Sequence, residues 1–438
     1  PVADPNSWWQ GLVCWGKLRG VGVTKTPFVR LTVAPLVGHT SLTFLTPVSG
    51  WLPGDKIALP DTRQRYPGTA WADQCEEVTI ASVAGNGMSV TLTSPVQFAH
   101  ANSRTPAGVP LDFPHAANLT RSTKISSFAP SGVRANIAMT GRADVKLVGV
   151  EVIDCGRTTI ARTDIPGNRK GRYPLHCHHL FGPAVPTEPW QYEIDNCSIH
   201  TSNPDIKWAL TIHSTHWGKA SNNVLWGHGG AALMTESGDE TGNLISGNFG
   251  GKVKASGNSM NSRFDINEFG HEGTVFWLRG PRNRLKDNVA TSGQNGYVIS
   301  MWELGNIRLS PAPGVDPHNE PLVDARGIPL LECSGNECYG QLDSGWSIWN
   351  LGADYSQSRT TQPSLITNTK IWHVGSYGYY GYPTAFLTWD GYQAHGDIAL
   401  LHMNTTGWWS GDYMCVEARL KNAHITGYRA GIACPYKS

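Results

Sequence analysis

Two histidines alternate in the segment Leu175-His176-Cys177-His178. In an extended strand residues i and i+2 leave the same face, so both imidazoles would project together. A second segment, Ala209 to His216, carries His213 and His216, and His228 follows shortly after. If Ile212-His213 stacks over Leu175-His176, His213 lies one strand, ~5 Å, from His176. Imidazoles converging from adjacent strands suit a transition metal such as zinc or copper, so His176, His178 and His213 are the candidate ligands. Calcium, the further option, prefers carboxylate and carbonyl oxygens. An inert ladder of stacked histidines, or acid–base use without a metal, would give the same spacing.

Carboxylates follow directly in Thr235-Glu236-Ser237-Gly238-Asp239-Glu240. Glycosidic hydrolysis takes two carboxyl groups, ~5–5.5 Å apart for retention and ~6.5–9.5 Å for inversion. Glu236 with Asp239 or Glu240 could form such a pair, as could Glu236 with Asp265 or Glu268 from a loop. Glu236, Asp239, His216 and His228 are therefore the candidate catalytic residues, although a solvated turn would place Asp239 or Glu240 there equally well. Arg172, Arg279 and Arg282 could grip a uronate carboxylate through paired hydrogen bonds, or could cap coil edges instead. Trp217, Trp226, Trp277 and Trp302 recur near strand ends, and Trp217 and Trp277 are candidate sugar contacts. Trp277 faces groove or core according to strand register, since one residue of slip reverses every side chain. The stretch Gly375 to Pro383 (GSYGYYGYP) reads as a sugar-stacking loop or as tyrosines covering an exposed solenoid edge.

Such residues need a frame that stacks strands. The 438-residue chain carries 49 Gly and 17 Trp with only 16% charged residues, which fits a β-rich, turn-rich protein and excludes a disordered one. Up to about residue 130, short strand patterns such as Leu42–Leu45, Lys56–Leu59, Val78–Ile80 and Ser89–Leu92 are broken by Gly and Pro. From about residue 131 a repeat sets in, with Asn196, Asn223 and Asn248 at intervals of 27 and 25 residues. Asn243 and Asn283 precede Asn248 and Asn288 at matching spacing, and the wider gaps to Asn288 and Asn336 are read as coils with inserted loops. A strand-bearing repeat of this length predicts a β-solenoid whose stacked turns are bridged by Asn side chains. A β-propeller is the competitor, and a consistent blade signature is missing. The expectation is an all-β, right-handed parallel β-helix over 131–438, with residues 1–130 as a β-rich region capping its N-terminal end.

A net charge of +1 without basic runs excludes nucleic acid as a main partner. No apolar run reaches the ~18 residues of a membrane span. The start at Pro1 suggests a trimmed or mature N-terminus. Nine cysteines are too few for a disulfide scaffold, and Cys333 with Cys338 is the best local pair, two unrelated thiols being the alternative.

Several segments, in order, resemble one family. SGWLPGDKIAL (49–59) and CEEVTI (75–80) resemble the end of an extracellular domain named for eight glycines, and ANLTRSTKI (117–125) resembles the link that follows it. RYPLHCHHLFG (172–182), ALTIHSTH (209–216), NNVLWGHGGAALMTESGDETGN (222–243) and VFWLRGPRNRLKDNVA (275–290) are similar to its β-helix. The family comprises extracellular parallel β-helix proteins, some of which degrade hyaluronan, together with the fibrocystin group of receptors. Where its pattern reads glutamate-aspartate-glycine, this chain has Glu236-Ser237-Gly238. The resemblance, over roughly residues 38–300, implies a secreted or extracellular protein that acts on a hyaluronan-like polysaccharide, by hydrolysis first and by elimination as a lyase second. A non-catalytic carbohydrate-binding solenoid is the rival from another class.

Overall fold

A computed structural model describes residues 11–434, apart from 67–71, 164, 186–188, 258–269, 302–303, 353–362, 401–402 and 412–414. Three long parallel sheets run side by side: a front sheet of eleven strands, a flank sheet of ten and a rear sheet of ten. Each turn of the chain adds one strand to each sheet, so the expected parallel β-helix is the fold the chain adopts and the propeller is excluded. No α-helix occurs among the described residues, and none of their helices is long and apolar enough to cross a membrane. The coil interior is a continuous stack. On the front sheet Leu175, Leu210, Leu233, Phe276, Tyr297, Trp346, Tyr379 and Trp408 lie in one register column and are all buried.

Two kinds of corner residue explain the Asn repeat. Between flank and rear sheets the chain turns through a left-handed residue at Asn196, Asn222, Gly247, Asp287, Gly335 and Asn368, with φ from 52° to 68°. Gly, Asn and Asp tolerate that conformation best. The next position holds Asn223, Asn248, Asn288 and Asn336, fully buried; each of the first three donates through Nδ2 to Oδ1 of the following one at 2.9–3.0 Å, and Asn336 ends the ladder by donating to the Leu285 carbonyl. Asn196 is therefore a corner residue, and Cys197 stands at the ladder position of its coil, its N–H donating to Asn223 Oδ1. A second ladder joins Asn243 to Asn283 at the front-to-flank corner.

The boundary expected near residue 130 falls elsewhere. Leu12–Cys14, Lys17–Val21 and Thr123–Ser126 pair with the next coil in the front, flank and rear sheets respectively, so they form the first coil. Residues 28–118 are inserted within it and make a six-stranded antiparallel sheet with its own core of Leu42, Phe44, Trp51, Ile57 and Ile80. This unit lies along the rear sheet instead of capping the end. Trp226, Tyr339 and Trp372 project from the rear strands into a shared cluster with Ala58, Ala117 and Leu119. Trp226 is thereby used in packing. The disulfide proposed for Cys333 and Cys338 is not formed; both thiols are buried and free, and the strands that carry them belong to different sheets.

Candidate functional site

The histidines sit on the front sheet. Leu175–Leu180, Leu210–His213 and Ala231–Thr235 are consecutive parallel strands. Cys177 and Ile212 point into the core, which turns His176, His178 and His213 outward. The register is two residues from the one expected: His213 pairs with His178, and Thr211 pairs with His176. The three rings are still neighbours, with centroids 4.7 Å apart for His178–His213, 5.0 Å for His176–His178 and 5.8 Å for His176–His213. Glu236 stands on the next strand, one residue past the paired Ile212 and Thr235, with Oε2 3.1 Å from His213 Nδ1.

The atoms that could share an ion group differently from the expected histidine trio. His176, His213 and Glu236 form one set, and His178, His179 and His213 form another, each with ligand atoms within 4.8 Å of one another. His179 was missed because strand alternation puts it on the opposite face; a left-handed backbone (φ 47°) brings it round beside His178 and His213. The run His178-His179 was the available signal.

Burial sets the protonation of these groups. Desolvation lowers His176 to about 3 and His178 to about 4, so both are neutral imidazoles at neutral pH. His176 Nδ1 is 3.0 Å from the Gly171 carbonyl, while its Nε2 is buried without a partner. Desolvation also acts on His213, but the carboxylates of Glu236, Glu240 and Asp239 outweigh it and hold the imidazolium above its ordinary range. Glu236 shows the converse: burial opposes its charge, yet His213 and His176 keep it below the usual carboxylate range. Its buried Oε2 lacks an aligned hydrogen-bond donor.

Beside this cluster a cleft of about 290 Å³ opens between the front sheet and the inserted segment 305–324. His179, His216, Ser237 and Asp239 line one wall, and Arg308, Asp316 and His318 line the other. Glu240 is buried behind it and accepts the N–H groups of Ser214, Ser237 and Gly238 at 2.8–2.9 Å, so it is an anchor of the turn. Desolvation outweighs those donors and raises Glu240 above the ordinary carboxylate range. Desolvation and the neighbouring Glu240 push Asp239 up to about 7, and Asp239 Oδ1 is buried without a partner. Thr241 N–H donates to His216 Nδ1 at 3.2 Å, which leaves the ring proton on Nε2.

The other expected site residues lie elsewhere. His228 is fully enclosed near His200, Arg134 and Asp154, and burial lowers it to about 3; it is part of a coil corner, apart from the cluster. Trp277 is buried with Tyr173, Trp208 and Met234 on the outer wall, because the strand register places it outward beneath a packed layer. Trp217 is a corner residue with φ 55° whose Nε1 donates to Ser310, tying the inserted segment to the coil. Arg172 is buried and donates to the Lys170 carbonyl. Arg279 follows Glu236 by one strand and is half-buried. Arg282 uses its carbonyl to cap Gly242. Asp265, Glu268 and Trp302 lie outside the described residues.

A family described as CEMIP beta-helix matches residues 135–346. Fibrocystin-L of Mus musculus is 25% identical over 390 residues, covering 79% of this chain and 8% of its own length. Fibrocystin-L of Homo sapiens is 24% identical over 399 residues, covering 81% and 9%. The chain therefore spans less than a tenth of the length of these two relatives. Among solved structures, the tailspike protein gp49 of Pseudomonas phage LKA1 is 9% identical, with 95% of this chain and 64% of that one covered and a TM-score of 0.29. The chain resembles the CEMIP and fibrocystin-like parallel β-helix proteins, as its sequence segments indicate.

Proposed function

We propose that this chain is an extracellular depolymerase that hydrolyses a hyaluronan-like polysaccharide on the outer face of the front sheet. The observation that carries the reading is the convergence of His176, His213 and Glu236, with a buried, unpartnered Nε2 on His176 and the buried Glu236 carboxylate against His213, next to a cleft that Asp239 lines. Carboxyl groups whose surroundings push them in opposite directions divide into an acid and a base. Glu236, held ionised against His213, takes the proton of the incoming water. Asp239 gives its proton to the departing glycosidic oxygen, so the C–O bond breaks with water added across it. His216 lines the same cleft wall as Asp239.

His176, His213 and Glu236 are the residues that would hold a divalent metal. Two imidazoles and a carboxylate favour zinc or copper over calcium. Such an ion, when bound, would acidify a water and polarise the sugar oxygen it touches.

The test is a panel of hyaluronan, chondroitin, alginate and dextran incubated with the full chain, with and without added zinc, copper or calcium. New reducing ends without ultraviolet enone absorbance support hydrolysis; enone absorbance replaces it with a lyase. Glu236→Gln should lower the rate by ~10²–10⁴-fold with the fold unchanged. If no polymer is cut under any of these conditions, the depolymerase reading falls and a binding solenoid takes its place.

A further inference from the structure

The front sheet carries a second feature of chemical interest, far along the coil axis from the histidines. Three aromatic doublets or near-doublets, Ile348-Trp349, Tyr379-Tyr380 and Trp408-Trp409, each send the first residue into the core and the second outward. Trp349, Tyr377, Tyr380, Tyr382 and Trp409 are all half-buried and touch one another. Tyr380 lies 4.5 Å from Trp409, 5.3 Å from Tyr377 and 5.7 Å from Trp349 between ring centroids, while Trp349 and Tyr382 are 5.4 Å apart. Neighbouring rings thus hold each ring in place and leave part of it open to solvent.

Strand register ties this patch to the cluster. One outward column of the front sheet runs His176, Thr211, Met234, Trp277, Val298, Ser347, Tyr380, Trp409. The next outward column runs from His213 through Glu236, Arg279 and Ser300 to Trp349 and Tyr382. Tyr382 is five strands from His213, or about 24 Å at the spacing of paired strands. The two places therefore lie along one line parallel to the coil axis.

We propose that Trp349, Tyr377, Tyr380, Tyr382 and Trp409 form a distal subsite that stacks on the pyranose faces of a polysaccharide whose other end lies at the histidine cluster. The rings offer apolar faces to the C–H side of a sugar. None of the five side chains is charged, which suits a sugar face better than an anionic or cationic peptide. The proposal deepens the depolymerase reading by extending its substrate site, and it concerns binding, so it can be decided separately from cleavage.

Binding of hyaluronan, and of size-fractionated hyaluronan oligosaccharides, chondroitin, alginate and dextran, would be measured by calorimetry on the full chain carrying Glu236→Gln, which excludes turnover. Tyr380→Ala, Trp349→Ala and Trp409→Ala should each weaken binding of the long polymer about tenfold, the order of one aromatic contact. Tyr380→Phe should restore it, and oligosaccharides too short to span both places should bind the cluster end with unchanged affinity. Thermal melts of each variant separate lost binding from lost fold, and Tyr380→Phe against Tyr380→Ala keeps the comparison valid if the tryptophan variants do not fold. Unaltered long-chain affinity in folded Tyr380→Ala and Trp409→Ala, or absence of binding by every polymer in the panel, would overturn the subsite. Loss of binding in those variants with no cleavage by the native chain would uphold the subsite and reject the depolymerase.

Discussion

Replacement of Asn288 by alanine removes one member from the middle of the longer ladder. Its Oδ1 accepts both the backbone N–H and the Nδ2 of Asn248, at 3.0 and 2.9 Å, and its Nδ2 donates to Ile245 O and Asn336 Oδ1, at 2.9 and 3.0 Å. After truncation the Asn248 side chain keeps its bond to Ala220 O, and Asn336 Oδ1 keeps the Asn288 backbone N–H. The backbone N–H of Asn248, fully buried, is left with no acceptor from the ladder. One orphaned buried donor costs ~1–3 kcal/mol, and each of the three other lost bonds contributes ~0.5–1.5 kcal/mol, so the expected loss is roughly 5 kcal/mol. Asn222→Gly is the control. Asn222 is a left-handed corner with φ 55° whose exposed amide bonds only Asp195, so glycine there should change stability by less than ~1 kcal/mol. Urea titration followed by tryptophan fluorescence measures both, with equal m-values required for comparison. If Asn288→Ala falls within ~1 kcal/mol of Asn222→Gly, the ladder is not a structural strut and the reasoning fails.

Acid should destabilise the protein from about pH 6.5 downward. Burial holds His228 at about 3 and keeps His115 and His373 below the ordinary 6.5, so the unfolded chain takes up their protons first and stability falls as pH drops below that value. Glu151, lowered to about 2 despite desolvation because His200, the Arg121 N–H and Lys124 bond its anion, adds a second loss below about 4.5. Urea midpoints that stay level from pH 7 to 4 would contradict this. His213→Ala should abolish zinc binding in elemental analysis, since both ligand sets need it, whereas His179→Ala should leave the set of His176, His213 and Glu236 intact. With Asp239 near 7, kcat/KM on a cleaved polymer should decline above neutral pH, and Asp239→Asn should lower the rate ~10²–10⁴-fold and remove that limb. An unchanged alkaline limb in Asp239→Asn would assign the acid to another group.

Much of the fold was legible because a coil repeats its corner chemistry. The Asn spacing pointed to stacked turns, and alternation in LHCH put two imidazoles on one face. What was hidden is non-local. Register between Leu175–Leu180 and Leu210–His213 depends on how the intervening 29 residues, 181–209, traverse the corners, and nothing in either strand reports it. His179 joins the cluster through a backbone angle that histidine seldom adopts. Trp277 reads as a sugar contact until Tyr173 and Trp208 are seen to cover it. The insertion of residues 28–118 within the first coil was equally invisible, because the first-coil strands Leu12–Cys14 and Lys17–Val21 pair with partners more than 100 residues away.

That insertion changes how the solenoid should come apart. A plain coil is held by nearest-neighbour contacts, so its ends can unzip one turn at a time. Here the six-stranded unit acts as a splint across many turns. It engages Asn196 through the backbone of Lys25, whose side chain its Asp55 holds, Glu337 through Arg30, the Gly340 carbonyl through Arg65, His373 through Thr62 and His395 through Asp112. A turn in the middle of that span cannot open without breaking a bond to a body that its neighbours also hold. Coils from Asn196 to His395 should therefore exchange their amide protons as one cooperative block, while Arg419–Lys421 and His424–Thr426, beyond the splint, fray independently.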